Sequence, residues 1–366
     1  MNNYSLPALL ELSSVPGIGA NRLRKLIDAF GSPDAVLEAP VQRLMHIHGI
    51  DKTSATRIKT GVNKKFAEEQ LRLLDKFKIR IITYWDDQYP ELLKKIYDAP
   101  AFFYIKGNLK PDDNLAFGIV GTRIPTHYGR LVTEQFSKEL VDYNFTIVSG
   151  FARGIDTVAH RSALNNYGRT IAVLGSGIDR IYPSENRKLV EQICDNGAII
   201  SEYPVGTNPD APNFPKRNRI ISGLSLGILV VEAGIKSGAL ITAFQALEQN
   251  KEVFAVPGPI NSSKSTGTNR IIKEGAKLVQ GTRDILSELE NQVEIKRKKK
   301  AESMPALEKK ENEIYKLLSA SPVHVDQIAQ KSKKSIPEVL SILLTLELLG
   351  VAKQLSGKMF ISHEKM

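Results

Sequence analysis

LAFGIVGTR, residues 115 to 123, is an unbroken apolar run that stops at a glycine, a hydroxyl and a guanidinium. Continuous rather than alternating hydrophobicity marks a strand buried on both faces, as in a parallel sheet covered by helices. The pattern returns at IRIIT (79–83), FTIVSG (145–150), TIAVLGSG (170–177), AIISE (198–202), LGILVVE (226–232) and EVFAVPG (252–258), with helical patterns between. Such alternation predicts a doubly wound α/β domain with a mostly parallel sheet. Several runs end at glycine or serine shortly before a helical segment, which places backbone N–H groups at strand carboxyl ends, facing any ligand there.

The flanks read differently. SVPGIGANRLRKLIDAFGS (14–32) and HIHGIDKTSATRIKTG (46–61) form a weak repeat in which a glycine turn precedes a cation-bearing helix. EIKRKKKAESMPALEKKEN (294–312) is charged and contains proline, so it reads as a linker with too little apolar surface to order itself. Beyond it, ENEIYKLLS (311–319), HVDQIAQKS (324–332) and SIPEVLSILLTLELLG (335–350) read as three helices. VAKQLSGKMFIS (351–362) follows as two short strands around Ser356 and Gly357, which together make a winged helix. The expected organisation is a helix-hairpin-helix-like domain at 1–68, the α/β domain at 69–290, a linker at 291–311 and the winged helix at 312–366.

A chain of 366 residues, 42% hydrophobic, is long enough for more than one core. Its net charge of +10 favours an acidic partner, most simply nucleic acid. The single cysteine, Cys194, rules out an internal disulfide framework and clustered Cys metal ligands, and fits a reducing compartment. Residues 1–17 lack the pattern of a signal peptide, and LSLGILVVEAGI (224–235) and LSILLTLELLG (340–350) are too short or too interrupted by acid to span a bilayer. A cytoplasmic protein without a membrane partner is expected.

Four loops carry the candidate chemistry. They contribute Gly121, Thr122 and Arg123; Ser149, Gly150, Arg153 and Gly154; Phe214, Lys216, Arg217, Asn218 and Arg219; and Lys236, Ser237, Gly238 and Thr242. Glycine lets a backbone approach a phosphate, hydroxyls and N–H groups donate to it, and arginine adds bidentate charge-assisted bonds. In FPKRNRIISGLS (214–225) the helix reads as starting at Asn218, so three cations stand at the positive end of a helix dipole and imply an anion there. Asp156 reads as a helix cap, and Glu202 and Glu232 as partners that orient arginines. Histidines, His127 and His160 included, read as surface or hydrogen-bonded structural residues.

Familiar catalytic signatures are missing. No Walker loop, zinc-binding H-E-x-x-H or G-x-S-x-G elbow occurs, and the run from Gly175 and Gly177 has Arg180 where a dinucleotide fingerprint needs its third glycine. No cofactor, no metal and no enzymatic activity are expected.

GIVGTR (118–123), SGFARGIDTVAH (149–160), LGSGIDRIYPSEN (174–186), EYPVGTNPDAPNFPKRNRIISGLS (202–225) and EAGIKSGALITA (232–243) resemble the DNA-processing protein A family, DprA or Smf. The likeness is collinear over 80–280 and continues through VPGPI (256–260) and GTNRIIKEGAKLV (267–279). It implies an extended Rossmann domain that binds single-stranded DNA without catalysis, forms a homodimer, protects incoming DNA and helps load the RecA recombinase during natural transformation. It also implies phosphate contacts from Arg123, Lys216, Arg217 and Arg219, close backbone approach at Gly121, Gly150 and Gly238, and base stacking on Phe214.

Two alternatives stay open. A Rossmann-type phosphoribohydrolase acting on nucleoside monophosphates would use a P-G-G-x-G-T loop, whereas EAGIKSGAL (232–240) has Lys236 and no paired glycines. A duplex-binding regulator would use the winged helix, whose recognition-helix candidate carries Glu338 and Glu347 and no cation, which favours protein contact. In the amino-terminal repeat Asp51 stands where a second glycine is expected, leaving that hairpin open between DNA contact and a docking or dimerising role.

Overall fold

The computed structural model describes residues 5–297, 308–319, 321–349 and 351–362, in two compact units, Met1–Lys298 and Lys299–Met366. The first begins with helices α1 (Leu6–Ser13), α2 (Ala20–Phe30), α3 (Pro33–Glu38), α4 (Val41–Leu44), α5 (Lys52–Thr60) and α6 (Lys64–Phe77). Leu9, Leu10, Leu12, Leu26 and Ile27 form their shared core. The two repeat units become two hairpins turned at Gly17 (φ +89°) and Gly49 (φ +91°). Their second helices start differently: Gly19 caps α2 without a side chain, while the Asp51 carboxylate caps α5 by accepting the Ser54 N–H at 2.7 Å. Helix α6 runs across 68/69 and packs on α1, so the helical segment and the sheet belong to one unit.

Nine strands form one sheet: β1 (Arg80–Thr83), β2 (Phe102–Gly107), β3 (Ala116–Gly121), β4 (Thr146–Ser149), β5 (Thr170–Leu174), β6 (Gly197–Ser201), β7 (Gly227–Val231), β8 (Glu252–Ala255) and β9 (Lys277–Leu278). Their order is β1-β2-β6-β5-β4-β3-β7-β8-β9. Strands β3 to β9 pair in parallel, and β1 and β2 add an antiparallel edge. IRIIT therefore departs from the parallel expectation. As the edge strand it keeps Arg80 exposed and Ile81 half-buried, while Ile79, Ile82 and Thr83 are buried.

The sheet's helices are α7 (Glu91–Lys94), α8 (His127–Asp142), α9 (Ile155–Asn165), α10 (Arg187–Asp195), α11 (Asn213–Gly223), α12 (Gly238–Glu248), α13 (Thr266–Lys273) and α14 (Thr282–Leu289). Phe136 and Leu140 of α8 and Ala159 of α9 pack on Phe117, Ile119 and Leu229. Ile220 and Ile221 of α11 and Leu240 and Ala243 of α12 share a core with Val120, Val148 and Val230. Alternate residues of each strand thus serve opposite faces, the doubly wound arrangement.

The expected linker starts later than its composition implies. Val293 and Ile295 pack against the core beneath α8, and Asn144 Nδ2 donates to the Lys296 carbonyl at 2.9 Å. Two apolar side chains and one backbone anchor suffice to hold the first part of that stretch; residues 298–307 lie outside the described ones.

The second unit holds α15 (Lys309–Tyr315), β10 (Val323–His324), α16 (Val325–Ser332), α17 (Ile336–Leu348), β11 (Ala352–Leu355) and β12 (Met359–Ser362), with sheet order β10-β12-β11. Ile314, Ile328, Val339, Leu343 and Phe360 form its core, and the β11–β12 turn passes through Gly357. It is a winged helix. Among the described residues no helix is long and apolar enough to cross a membrane.

Candidate functional site

Strand order reverses at β3. The chain passes from β3 to β4, β5 and β6 on one side, then crosses to β7, β8 and β9 on the other. Connections leaving in opposite directions open a crevice beyond the carboxyl ends of β3 and β7, where ligands of such sheets bind. A cleft of about 820 Å³ lies there.

The expected residues divide by what their side chains already hold. From the β3 and β7 loops, Gly121, Thr122, Arg123, Lys236, Ser237 and Gly238 line the cleft, with buried Thr242. Arg123 and Lys236 are exposed, and among the described residues neither has an ion-pair partner. Ser237 caps α12, whose first N–H groups and dipole add positive potential. The Arg123 guanidinium carbon lies 5.7 Å from the Phe214 ring centroid, a cation–π contact that holds both over the cleft.

Helix α11 begins at Asn213, not Asn218. Pro215 sits in its first turn, where a missing N–H costs nothing, and Asn218 lies in the helix interior with its N–H used by the helix. The cations consequently point in different directions. Arg217 is 4% exposed and lines the cleft floor, but its Nη1 donates to the carbonyls of Gly150 (2.6 Å) and Val173. Arg219 forms ion pairs with Asp98 at 3.0 Å and Glu202 at 2.7 Å and does not line the cleft. Lys216 is exposed and also outside the cleft; burial raises the Glu202 pKa above its ordinary value, against the pull of Arg219 and, more weakly, of Lys216. Asn218 lines the cleft with its Nδ2 3.4 Å from the Gly238 carbonyl.

The loop after β4 is mainly scaffold. Ser149 is buried and donates to the Ile119 carbonyl at 2.6 Å. Arg153 pairs with Glu185 outside the main cleft, beside a smaller cavity shared with Gly150, Tyr182 and Phe214. Gly150 is pinched between Arg217 and Asp156: a Cβ there would lie 2.7 Å from each. Gly154 has φ +79°, and a Cβ would meet the Thr122 carbonyl at 2.3 Å, so it seats this loop on the Arg123 loop. It is Gly154, rather than Asp156, that caps α9. The Asp156 carboxylate instead turns back to the Ala152 N–H at 3.3 Å, inside the cleft. Burial pushes its pKa up to about 6, against the pull of the Arg217 charge.

Glu202 does orient an arginine, but Glu232 instead accepts from the Thr126 N–H at 2.9 Å and from its hydroxyl. His160 is a buried structural residue with Nδ1 2.6 Å from Thr170 Oγ1, its pKa pushed down to about 3 by burial. One residue was missed. Tyr182 is 40% exposed, lines the cleft, and has its ring centroid 6.0 Å from that of Phe214. An aromatic ahead of a proline in a strand-end loop is the signal that marks it in IYPSEN (181–186).

The fold and site together define a Rossmann-type domain with an anion-receptive, aromatic-walled cleft at its switch point. Residues 80–290 match the family described as DNA recombination-mediator protein A, 298–358 the DprA winged helix domain, and 9–64 a SAM-like helix-hairpin-helix tandem. Protein Smf of Synechocystis is 35% identical over 98% of both chains, and DNA processing protein DprA of Bacillus subtilis is 42% identical over 65% of this chain and 82% of that one. The X-ray structure of DprA from Streptococcus pneumoniae matches with TM-score 0.69 and 34% identity over 78% of this chain and 98% of its own. A Helicobacter pylori structure described as giving the single-stranded DNA binding mode of that protein matches with TM-score 0.53 and 31% identity, over 58% of this chain and 96% of its own. The chain belongs to the DNA processing protein A (DprA/Smf) family.

Proposed function

We propose that this chain is a non-enzymatic single-strand DNA-binding recombination mediator. In this reading it works as a homodimer, protects incoming DNA and helps load the RecA recombinase during natural transformation. The observation that carries the DNA site is the gathering of two exposed cations, Arg123 and Lys236, with the start of α12, the half-buried ring of Phe214 and the exposed ring of Tyr182 in one cleft. Cations and helix N–H groups address phosphates in any sequence, and rings stack on any base. The cleft lining holds a single carboxylate, Asp156, already engaged with Ala152, which supports binding over nucleotide cleavage. RecA loading and dimer formation rest on family membership alone.

Fluorescence anisotropy of a labelled oligothymidine and a matched duplex, over a salt series, tests the proposal. Tight single-strand binding that Lys236→Ala weakens supports it. Equal or greater duplex affinity, indifferent to Lys236, would sink it.

A further inference from the structure

A second cavity, of about 560 Å³, opens at the amino ends of β3, β7 and β8, opposite the cleft. Lys95 and Lys251 converge on it with the amides of Asn114, Asn250 and Gln292. Glu91 also lines it, yet among the described residues neither lysine has an ion-pair partner. Burial and the Lys95 charge hold the Lys251 pKa below its ordinary value. Two like charges facing one cavity, with Glu91 in an ion pair with neither, are relieved by an anion.

Helix α12 joins the two places. Its first turns line the cleft through Ser237, Gly238 and Ile241, and the chain leaving its end supplies Gln249, Asn250 and Lys251 to the second cavity. Between them Ile241, Phe244 and Leu247 are 39%, 41% and 52% exposed, at i, i+3 and i+6 along one helix face. An apolar stripe with unpaired cations at both ends matches the chemistry of a single nucleic-acid strand, with phosphates at the ends and bases on the stripe. A duplex offers phosphates but keeps its bases stacked inside.

We infer that single-stranded DNA leaving the cleft runs along α12, stacks a base on Phe244 and places backbone phosphates at Lys95 and Lys251. The inference rests on the proposed single-strand reading of the cleft and extends its footprint to the other end of the sheet.

The test compares oligothymidines of about 6 and about 20 nucleotides, bracketing the site sizes of single-strand binding folds. The full chain is titrated over a salt series. The Lys95→Ala/Lys251→Ala double variant is expected to lower the salt slope for the longer strand by about 1.4, two phosphates at about 0.7 each, and to leave the shorter strand unchanged. Phe244→Ala is expected to weaken only the longer strand, roughly ten-fold, with Phe244→Trp restoring it. Equal effects at both lengths, or none at the longer one, overturn the path. A changed molecular mass of Phe244→Ala in light scattering also overturns it, assigning the stripe to a second copy of the chain. Lys236→Ala separates the two readings: loss at both lengths supports the cleft, whereas its indifference alongside a length-dependent Phe244 effect fails the cleft reading only.

Discussion

On the side of the cleft formed by the loops after β3 and β7, Arg123 and Lys236 are exposed and unpaired. On the side of α11 and the loop after β4, Arg217 is buried against two carbonyls, while Glu185 neutralises Arg153 and Asp98 and Glu202 neutralise Arg219. The second side holds more cations, but apart from the exposed Lys216, which lies outside the cleft, their charge is already engaged within the fold. Charge on the second side is spent on fixing the shape that presents the first. A buried guanidinium without its partners is costly, whereas an exposed one loses little when removed.

That distinction makes Arg217 the most consequential substitution. Arg217→Ala leaves the Gly150 and Val173 carbonyls without their donor and Asp156 without its countercharge, and is expected to cost about 3 to 5 kcal/mol in urea unfolding. Arg123→Ala should stay within about 0.5 kcal/mol of the parent in the same experiment. Similar stabilities for the two variants would break the comparison.

Asp156 sharpens it through pH. Its folded value of about 6 stands above the ordinary 3.8, so the folded protein holds that proton more tightly than the unfolded chain. This contribution is fully present below the unfolded value and is lost as pH rises through about 6, on the order of 3 kcal/mol in all. His160 runs the other way: its depressed value withdraws stability as pH falls below about 6.5. Asp156→Asn should therefore remove only the first of these slopes. The difference between parent and variant unfolding free energies, measured from about pH 4 to 7, isolates it. A difference independent of pH would contradict the burial that raises Asp156.

On the exposed side the effect moves from stability to affinity. Arg123→Ala and Lys236→Ala are each expected to lower the single-strand salt slope by about 0.7, and Arg219→Ala to leave it unchanged. A lower slope for Arg219→Ala would mean that the ligand competes successfully with Asp98 and Glu202.

The parallel sheet and its covering helices were legible because continuous apolar runs have few other folded uses. IRIIT misled because a short edge strand and a central one share composition, and pairing direction is set by the connection rather than by the residues. The four loops were legible as a group, but the fate of each cation was not. Arg217 and Arg219 are two residues apart on one helix, and what distinguishes them is the set of partners across the fold: Gly150 and Val173 for one, Asp98 and Glu202 for the other. Tyr182 escaped for the same reason, since its value lies in its proximity to Phe214 rather than in its own neighbours.

The amino-terminal hairpins repeat the contrast on a smaller scale. Gly19 leaves the start of α2 open, with no acidic residue in its first turn, while the Asp51 carboxylate already occupies the start of α5. Hydrogen bonds from Ser54 hold that carboxyl below its ordinary pKa, so it stays ionised and repels a phosphate. Exchanging the two residues tests whether either helix start receives one. Gly19 has φ −81° and open space where a Cβ would project, so Gly19→Asp fits the backbone and installs a cap. Asp51→Gly removes one, with glycine itself a tolerable cap. If the first hairpin touches a DNA backbone, Gly19→Asp weakens duplex binding, and Asp51→Gly strengthens it by a few-fold at most, measured by anisotropy at low salt where exposed charges act. Both exchanges without effect on any DNA would assign the hairpins to protein docking, leaving the DNA footprint entirely to the sheet domain.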